Sequence, residues 1–365
     1  MSIKSRLFNF HRRLADPECR GILLGACRGI LWPAASLYSA ATRCRNALYD
    51  RGILEGQRVE LPVISVGNIT AGGTGKTPFV AWLARFLILN KRRPVVLSRG
   101  YGRDEATGID DENRMLGSMA PEAPVIVNPD RVQGAATARE TTDGDVLILD
   151  DGFQHRQIAR DLDIVLLDAM FPFGGGSQLP LGYLREPIKG IARADLIVLT
   201  RTDLVPTDRV ERLKERLAEF FDEQEIVCAV HRPEGLRRLE PAGDDGRELD
   251  LDRLRSGRWA AFCGIGNPES FRETLRELGA TIESFAPYAD HHHYRRADLK
   301  GLMDEAVAAG CGGLVTTEKD AAKVERFVDA DDPLPVLALR VKMDFAENSE
   351  IVAQRVLSAV GARVQ

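Results

Sequence analysis

The chain has 365 residues, a length that predicts two domains rather than one. Hydrophobic residues make up 44% and charged residues 28%, with 33 Gly and 18 Pro, which excludes collagen-like, low-complexity and wholly disordered chains. The net charge of −5 excludes a polycationic protein, so no nucleic-acid partner is expected. The six cysteines are scattered without a CxxC pair, which predicts reduced thiols and no disulfide framework.

Residues 1–50 predict a basic, apolar, helical segment that associates with a membrane. Residues 1–45 carry eight Lys and Arg against two acidic residues, whereas residues 22–41 contain one charge, Arg28, and one proline, Pro33. A cleaved signal peptide would need a shorter, earlier apolar core, and a spanning helix would hold Arg28 near its middle. An amphipathic helix in the membrane interface fits best, and the alternative is a helix that packs on the main domain. The side chains expected in the acyl boundary are Leu23, Leu24, Ile30, Leu31, Trp32 and Leu37.

A phosphate-binding loop follows the first predicted strand. The run from Pro62 to Gly67 is short and β-branched, which favours a buried parallel strand, and a long helical pattern begins near Lys76. Between them, glycines allow successive backbone N–H groups to point at phosphate oxygens, while Lys76 reaches the β- and γ-phosphates and Thr77 joins the Mg²⁺ shell. The spacing therefore predicts binding of a nucleoside triphosphate. The loop comprises Thr70, Ala71, Gly72, Gly73, Thr74, Gly75, Lys76 and Thr77.

Carboxylates at the end of a later strand are candidates for the magnesium side of this site. The run from Asp145 to Asp150 is a hydrophobic strand that ends in Asp150 and Asp151, the place where a P-loop fold puts its metal-facing acid. A turn after a strand is the alternative for such an Asp-Gly pair. Further along, a Gly- and Pro-rich loop ends in Arg185 and Glu186, which predicts a charge clamp and another metal-facing carboxylate; an ordinary surface ion pair is the alternative.

The sequence from Thr200 to Asp203 keeps a second nucleotide open. It faintly resembles the Asn/Thr-Lys-x-Asp strand end with which GTPases read guanine, although Arg201 stands where that pattern has lysine. The segment is the main internal argument for a protein that uses GTP.

The remainder predicts a second, smaller α/β domain. We expect a P-loop domain over 51–232, a polar linker over 233–258 and the second domain over 259–365. In this domain, Asp290 is followed by three histidines. Because adjacent side chains of an extended segment point to opposite faces, these histidines do not predict a zinc site, and a single proton-accepting histidine is favoured. The run from Thr316 to Asp320 is explained by helix capping alone.

Taken in order, these segments resemble the tetraacyldisaccharide 4'-kinase family, the lipid A 4'-kinases of Gram-negative bacteria. The resemblance covers nearly the whole chain and is carried by SVGNITAGGTGKTP, LSRGYGR, LDDGFQHR, LPLGYLREP, FCGIGNPESF, YADHHHY and TTEKDAAK. It implies a P-loop NTPase-like parallel-sheet domain and a second α/β domain, with ATP and Mg²⁺ as cofactors. It also implies transfer of the γ-phosphoryl group to the 4'-hydroxyl of tetraacyldisaccharide 1-phosphate, which gives lipid IVA.

The resemblance also implies roles for individual residues. Lys76 is expected to act in catalysis, and Asp150, Asp151 and Glu186 are expected around the magnesium with Thr77. The family's Gly-Asp-Glu appears here as Asp110-Asp111-Glu112, which points to Asp111 at the acceptor hydroxyl, paired with His291 as a base dyad. Gln154, Arg99 and Arg185 are expected near the nucleotide.

The implied partners are a glycolipid substrate and the membrane surface, with the enzyme at the cytoplasmic face of the bacterial inner membrane. The sequence leaves the oligomeric state open. Two other classes of protein stay open as well: a membrane-associated GTPase or metallochaperone-like protein of the same P-loop branch, and a kinase for a soluble polyol.

Overall fold

The computed structural model describes residues 10–11, 13–16, 19–100, 111–222, 225–241, 246–266, 268–289 and 292–361, without the side chains of residues 111, 112, 114 and 118. The chain forms two compact units. The larger unit comprises residues 9–230 and 343–365, and the smaller unit takes in His231–Lys342. Each unit is built on a mainly parallel β-sheet with helices, which confirms the predicted α/β class.

The sheet of the larger unit runs in the order β3-β2-β4-β1-β5-β6-β7, and all of these neighbours are parallel. Its central strands are buried on both faces, as expected for β-branched and leucine-rich runs covered by helices. The strands are β1 (Val63–Gly67), β2 (Pro94–Ser98), β3 (Val125–Val127), β4 (Val146–Asp150), β5 (Leu162–Asp168), β6 (Leu196–Thr200) and the first part of β7 (Ile226–Arg238).

Helices cover this sheet and place its loops. The helix that follows β1 contributes Phe79, Val80, Leu83 and Leu87 to the main hydrophobic core. Polar loops follow the carboxyl ends of the strands, the edge at which ligands bind in open α/β sheets. The helices are α1 (Ile22–Asp50), α2 (Lys76–Leu89), α3 (Asp111–Met119), α4 (Arg131–Thr141) and α5 (Thr207–Ala218), with a 3-10 helix at Ile188–Arg193.

The smaller unit has its own strand order and hydrophobic core. Strand β9 lies between β10 and β11, and β11 pairs with β12, all in parallel, whereas the short β8 pairs antiparallel with the end of β7. Phe262, Leu314 and Leu302 belong to one face of its core, and Trp259 and Leu337 to the other. The elements are β8 (Glu248–Leu249), β9 (Arg258–Cys263), α6 (Pro268–Glu277), β10 (Thr281–Pro287), α7 (Arg296–Ala308), β11 (Gly313–Thr317), α8 (Glu318–Val324) and β12 (Val336–Glu347).

The end of the chain lies elsewhere than the sequence predicts. We expected the closing helix in a second domain over 259–365, but α9 (Ser349–Gly361) packs Val352, Val356 and Val360 into the core of the larger unit. Arg92 also donates a hydrogen bond to the Val360 carbonyl, at 3.2 Å. The expected linker at 233–258 likewise contains the end of β7 and all of β8. Long-range pairing, which local composition does not encode, accounts for both differences.

The amino-terminal segment forms one long helix in its described part. Helix α1 spans 29 residues and contains Pro33. Arg28 does not face outward: its guanidinium donates to backbone carbonyls of the preceding residues, including Leu14 at 3.0 Å and Asp16 at 2.6 Å. The helix exposes most of its large apolar side chains, namely Ile22, Leu23, Ile30, Trp32 and Leu37. Leu24, which we expected in the acyl boundary, is instead buried against the protein.

No helix in the described ranges is both long and apolar enough to cross a membrane.

Candidate functional site

The loop between β1 and α2 has the backbone geometry of a phosphate cradle. Gly72 has φ +121° and Gly75 has φ +84°, left-handed conformations that residues with a side chain rarely adopt. Gly75 stands at the N-cap of α2, and no side chain accepts from the first N–H groups there. Such uncapped N–H groups, at the positive end of the helix dipole, form an anion site. The loop is thus shaped to receive phosphate.

The end of β4 brings a carboxylate to this loop. Asp150 is the last residue of β4 and pairs in register with Val66 of β1. Asp151 follows with φ +54°, an unusual left-handed backbone for a residue that is not glycine. Its Oδ1 lies 3.4 Å from the Lys76 Nζ. The structure therefore places Asp150 at the strand end and Asp151 beside Lys76.

Arg185 completes the charge cluster around Asp151. Its Nη1 lies 2.9 Å from Oδ1 and 2.7 Å from Oδ2 of Asp151. Burial alone would raise the pKa of Asp151, but the charges of Lys76 and Arg185 and their hydrogen bonds outweigh it and lower that pKa to about 2. Asp151 is therefore ionised at neutral pH, and it holds two cations next to the helix N-terminus.

The Gly- and Pro-rich loop after β5 delivers Arg185 because it runs along the phosphate loop. The Ala71 N–H donates to the Tyr183 carbonyl at 2.7 Å, and the Arg185 N–H donates to the Ile69 carbonyl at 2.8 Å. Thr70 and Leu184 form an antiparallel bridge between the same segments. These backbone contacts fix the position of the Arg185 main chain, and the Arg185 side chain extends to Asp151.

Glu186 points into a different environment from its neighbour. It is fully buried, and its two oxygens accept from both Nη atoms of Arg193, at 2.6 and 2.8 Å. Gln154 donates to its Oε1 at 2.6 Å and Asn46 to its Oε2 at 3.2 Å. Gln154 also donates to the Asn68 carbonyl at 2.8 Å. Four charge-assisted or amide hydrogen bonds occupy this carboxylate, so Glu186, Arg193 and Gln154 form a buried hydrogen-bonded cluster next to Asn68. The metal contact of Glu186 and the nucleotide contact of Gln154 stay predictions.

His155 is a group that the sequence reasoning did not single out. Burial, together with the charges of Arg131 and Arg99, lowers the pKa of this histidine to about 4, so it is neutral at pH 7. Arg99 therefore lies close enough to His155 to act on its charge. The sequence feature that could have indicated His155 is its position in the LDDGFQHR segment, directly after Gln154.

Two further residues, whose contacts the sequence does not predict, hold the loop from the end of β6. Thr200 donates its hydroxyl to the Thr74 carbonyl at 2.9 Å. Arg201 donates to the Gly73 carbonyl at 3.0 Å and is ion-paired with Asp168. Thr200 and Arg201 belong to the Thr200–Asp203 segment, for which the sequence suggests only a guanine-reading motif.

The expected base dyad falls outside what the structure describes. Asp111 is the first residue of α3, but its side chain is not among those described, and His291 lies outside the described residues. Next to it, His292 stacks on Tyr288, with ring centroids 4.5 Å apart, and lies 3.6 Å from an oxygen of Asp298. His293 is exposed.

The capping explanation of the Thr317–Asp320 segment is confirmed by the contacts of α8. Thr317 is the N-cap residue, and its hydroxyl accepts from the Asp320 N–H at 3.2 Å. In all the described ranges, the site included, no group of three or more His, Cys, Asp or Glu side chains is arranged to hold a metal.

Comparison with known proteins decides the family. The model of the tetraacyldisaccharide-1-P 4'-kinase family matches residues 27–360 of this chain. The chain belongs to this family. Relatives named tetraacyldisaccharide 4'-kinase include one from Anaeromyxobacter sp. (strain K), 37% identical over 360 residues that cover 94% of this chain and 93% of the relative. Another, from Syntrophus aciditrophicus, is 40% identical over 328 residues, which cover 84% of this chain and 87% of the relative.

A solved structure agrees with the whole fold. The "apo" form of LpxK from Aquifex aeolicus, in complex with ATP, matches with a TM-score of 0.71 and 30% identity, over 92% of this chain and 99% of that one. The family membership confirms the predicted P-loop architecture, the ATP-dependent kinase activity and the place in lipid A biosynthesis. The GTPase and polyol-kinase alternatives give way to it.

Proposed function

We propose that this chain transfers the γ-phosphoryl group of ATP to the 4'-hydroxyl of tetraacyldisaccharide 1-phosphate and so forms lipid IVA. The observation that carries the proposal is the cluster of Lys76, Asp151 and Arg185 at the end of the phosphate loop. Phosphoryl transfer needs little covalent work from the protein, mainly positioning and neutralisation of charge. A helix N-terminus with two adjacent cations supplies both for a triphosphate.

The residues of the loop then have separable roles. Within residues 70–77, the backbone N–H groups bind the phosphate oxygens, apart from that of Ala71, which donates to the Tyr183 carbonyl. Lys76 neutralises the terminal phosphates. Arg185 lies within hydrogen-bond distance of Asp151, so it lies next to the same phosphates and stabilises charge there. Ionised Asp151 keeps both cations in place before the nucleotide arrives.

The donor set beside the loop fits Mg²⁺. Thr77 offers a hydroxyl and Asp150 and Asp151 offer carboxylates, the hard oxygen ligands that magnesium prefers, and Mg²⁺ is usually held by one or two carboxylates together with phosphates. The low pKa of Asp151 keeps its oxygens ionised for this purpose. When bound, Mg²⁺ neutralises charge on the β- and γ-phosphates. Glu186 supports the site by holding Arg193 and Gln154.

The acceptor side rests on Asp111 and His291, which match the family's base dyad by position in the sequence. The dyad accepts the proton of the 4'-hydroxyl while its oxygen bonds to the γ-phosphorus. The bond from that phosphorus to the β–γ bridging oxygen breaks, and ADP leaves. Asp111 is the first residue of α3.

Steady-state kinetics and nucleotide binding together test the dyad. We expect Asp111→Asn and His291→Gln to lower kcat by roughly 10²–10⁴-fold, the usual worth of a general base, and to leave the Kd for ATP unchanged. The matched control is His293→Gln, at an exposed histidine two residues away. Parallel loss of ATP affinity in both dyad variants would contradict the assignment.

The exposed apolar side chains of α1 support binding to the membrane that holds the substrate. Ile30, Trp32 and Leu37 are each more than 60% exposed, an arrangement costly in water and suited to an acyl boundary. The family works at the inner membrane, and we place this enzyme at its cytoplasmic face, where ATP is available.

Vesicle flotation tests the membrane role with a control from the same unit. Substituting Gln at positions 30, 32 and 37 together is expected to release the protein from anionic vesicles, because it removes buried apolar area on the lipid side. Leu89→Gln changes a side chain that is 82% exposed at the end of α2 and should leave binding intact. Equal vesicle binding by the triple variant would refute the proposal.

A further inference from the structure

The Thr200–Asp203 segment contacts the backbone of the phosphate loop. Thr200 ends β6 and is fully buried. Arg201 follows with φ +57°, a left-handed conformation. This conformation is destabilising for any residue that has a side chain, and it persists only where neighbouring contacts impose it. Contacts of the Arg201 side chain with the phosphate loop account for this conformation.

Both residues donate to carbonyls of the loop. The Thr200 Oγ1 donates to the Thr74 carbonyl at 2.9 Å, and the Arg201 Nη1 donates to the Gly73 carbonyl at 3.0 Å. Arg201 is also ion-paired with Asp168 at the end of β5. Two consecutive peptide groups of the loop are therefore held from the ends of two neighbouring strands.

Because the peptide bond is planar, these two contacts also fix the direction of the N–H groups that follow the two carbonyls. In a trans peptide the C=O and the following N–H point to opposite sides of the chain. Fixing the Gly73 carbonyl toward Arg201 aims the Thr74 N–H away from it, and fixing the Thr74 carbonyl toward Thr200 does the same for the Gly75 N–H. Asn68 restrains the Thr74 side chain as well, donating to its Oγ1 at 3.0 Å.

We propose that Thr200 and Arg201 are positioning residues that aim the N–H groups of Thr74 and Gly75 at the triphosphate. The proposal rests on the phosphate-binding role given above to residues 70–77. The charge of Arg201 is balanced by Asp168, which also accepts from the Met170 N–H at 3.0 Å, so its contribution is orientation rather than charge on the phosphate. The guanidinium is engaged by the loop, which assigns this segment to the phosphates of the nucleotide rather than to its base.

A matched pair of substitutions tests the hydroxyl of Thr200. Thr200→Val keeps the shape and removes the donor, whereas Thr200→Ser keeps the donor. We expect Thr200→Val to raise the Kd and KM for ATP about tenfold, the usual effect of one buried hydrogen bond, and to lower kcat while the KM for the glycolipid stays constant. Thr200→Ser should bind ATP within about twofold of the unchanged enzyme.

A second pair keeps the test valid if Thr200→Val does not fold. Arg201 is at a strand end with its side chain 22% exposed. We expect Arg201→Gln to weaken ATP binding about tenfold, and Arg201→Lys, which retains the charge with one hydrogen bond, to weaken it less. Binding is measured with a non-hydrolysable ATP analogue by calorimetry, and folding by thermal melting.

The outcomes separate this inference from the proposed function. If Lys76→Ala weakens binding of the analogue while Thr200→Val and Arg201→Gln do not, the positioning role is overturned and the phosphate loop stands. If Lys76→Ala leaves binding intact, the phosphate role of the loop fails and the inference fails with it. Equal rises in the KM for ATP and for the glycolipid would indicate a merely structural role and also overturn the inference.

Discussion

The two units place an acidic residue after a buried parallel strand, and they use it in opposite ways. In the larger unit, Asp151 follows β4, keeps 20% of its side chain exposed and is held by Lys76 and Arg185. In the smaller unit, Asp320 lies three residues after β11 and is fully buried. It accepts from the Gly264 N–H at 2.8 Å and the Thr317 hydroxyl at 2.7 Å.

What separates the two is the group that satisfies the neighbouring helix N-terminus. Helix α2 begins at a left-handed glycine without a side-chain cap, so its N–H groups are left for an anion. Helix α8 begins at Thr317, whose hydroxyl caps the Asp320 N–H, and the carboxylate faces Lys323 at 3.6 Å. The same strand-end acid thus serves a ligand site where the loop is glycine-rich and an internal cap where it is not.

The largest expected effect is on catalysis in the larger unit. Lys76→Ala should lower kcat/KM by roughly 10²–10³-fold or more, because a preorganised cation on the transferred phosphoryl group is lost. Transfer of labelled phosphate to the glycolipid measures it. Lys300→Ala, at an exposed lysine of α7, should have no effect. A Lys76→Ala enzyme of normal rate would remove the basis of the comparison.

The next effect is on stability in the smaller unit. Asp320→Asn should lower the free energy of unfolding by about 3 kcal/mol, because it removes the charge that faces buried Lys323. Urea denaturation measures the loss, and Asp304→Asn at an exposed position of α7 is the control. If Asp320→Asn left the free energy of unfolding unchanged, the buried Asp320 carboxylate would not stabilise the smaller unit through Lys323.

The next prediction concerns the pH dependence of the free energy of unfolding in the larger unit. The pKa of His155 is lowered to about 4 in the fold, so the unfolded chain takes up a proton near pH 6.5 while the folded chain does not. Stability should therefore fall as the pH drops from about 6.5 to about 4, by on the order of 2 kcal/mol from this group. His155→Gln should flatten that decrease in unfolding measured across the window. His293→Gln should retain the full slope.

The smallest effect concerns the cap itself. Thr317→Ala should cost about 1 kcal/mol of stability, the usual worth of an N-cap hydroxyl. Thr317→Ser keeps the oxygen and should cost less. Chemical denaturation of the two variants side by side checks the difference, and a Thr317→Ser protein as unstable as Thr317→Ala would argue against the hydroxyl.

Local pattern predicted the elements and the loop well. The β-branched runs at β1, β4 and β5 became buried parallel strands, and the glycine spacing before Lys76 became an uncapped helix start. These features depend on residues close together in sequence. The position of α9 does not, because Val352 and Val356 belong to one core with Ile64 of β1 and Ile164 of β5, which lie 288 and 188 residues before Val352. No local signal records these partners.

The sequence also does not predict that two adjacent residues have different surroundings. Arg185 and Glu186 are adjacent, and the sequence predicts a charge clamp beside the phosphates and a metal-facing carboxylate. In the structure Arg185 reaches Asp151 while Glu186 is enclosed by Arg193, Gln154 and Asn46. Which way each side chain turns depends on the partner segments, among them Asn46 of α1, 140 residues earlier.

Helix α1 links the apolar end of the chain to the loop that carries Arg185. Its Tyr38 hydroxyl donates to the Arg185 carbonyl at 2.9 Å, sixteen residues after the exposed Ile22. At 1.5 Å per residue this is about 24 Å of rigid helix. Under the membrane role proposed above, the helix acts as a spacer between lipid and the phosphate loop, and we expect insertion or deletion of a helical turn to change the height at which a sugar head group meets the nucleotide.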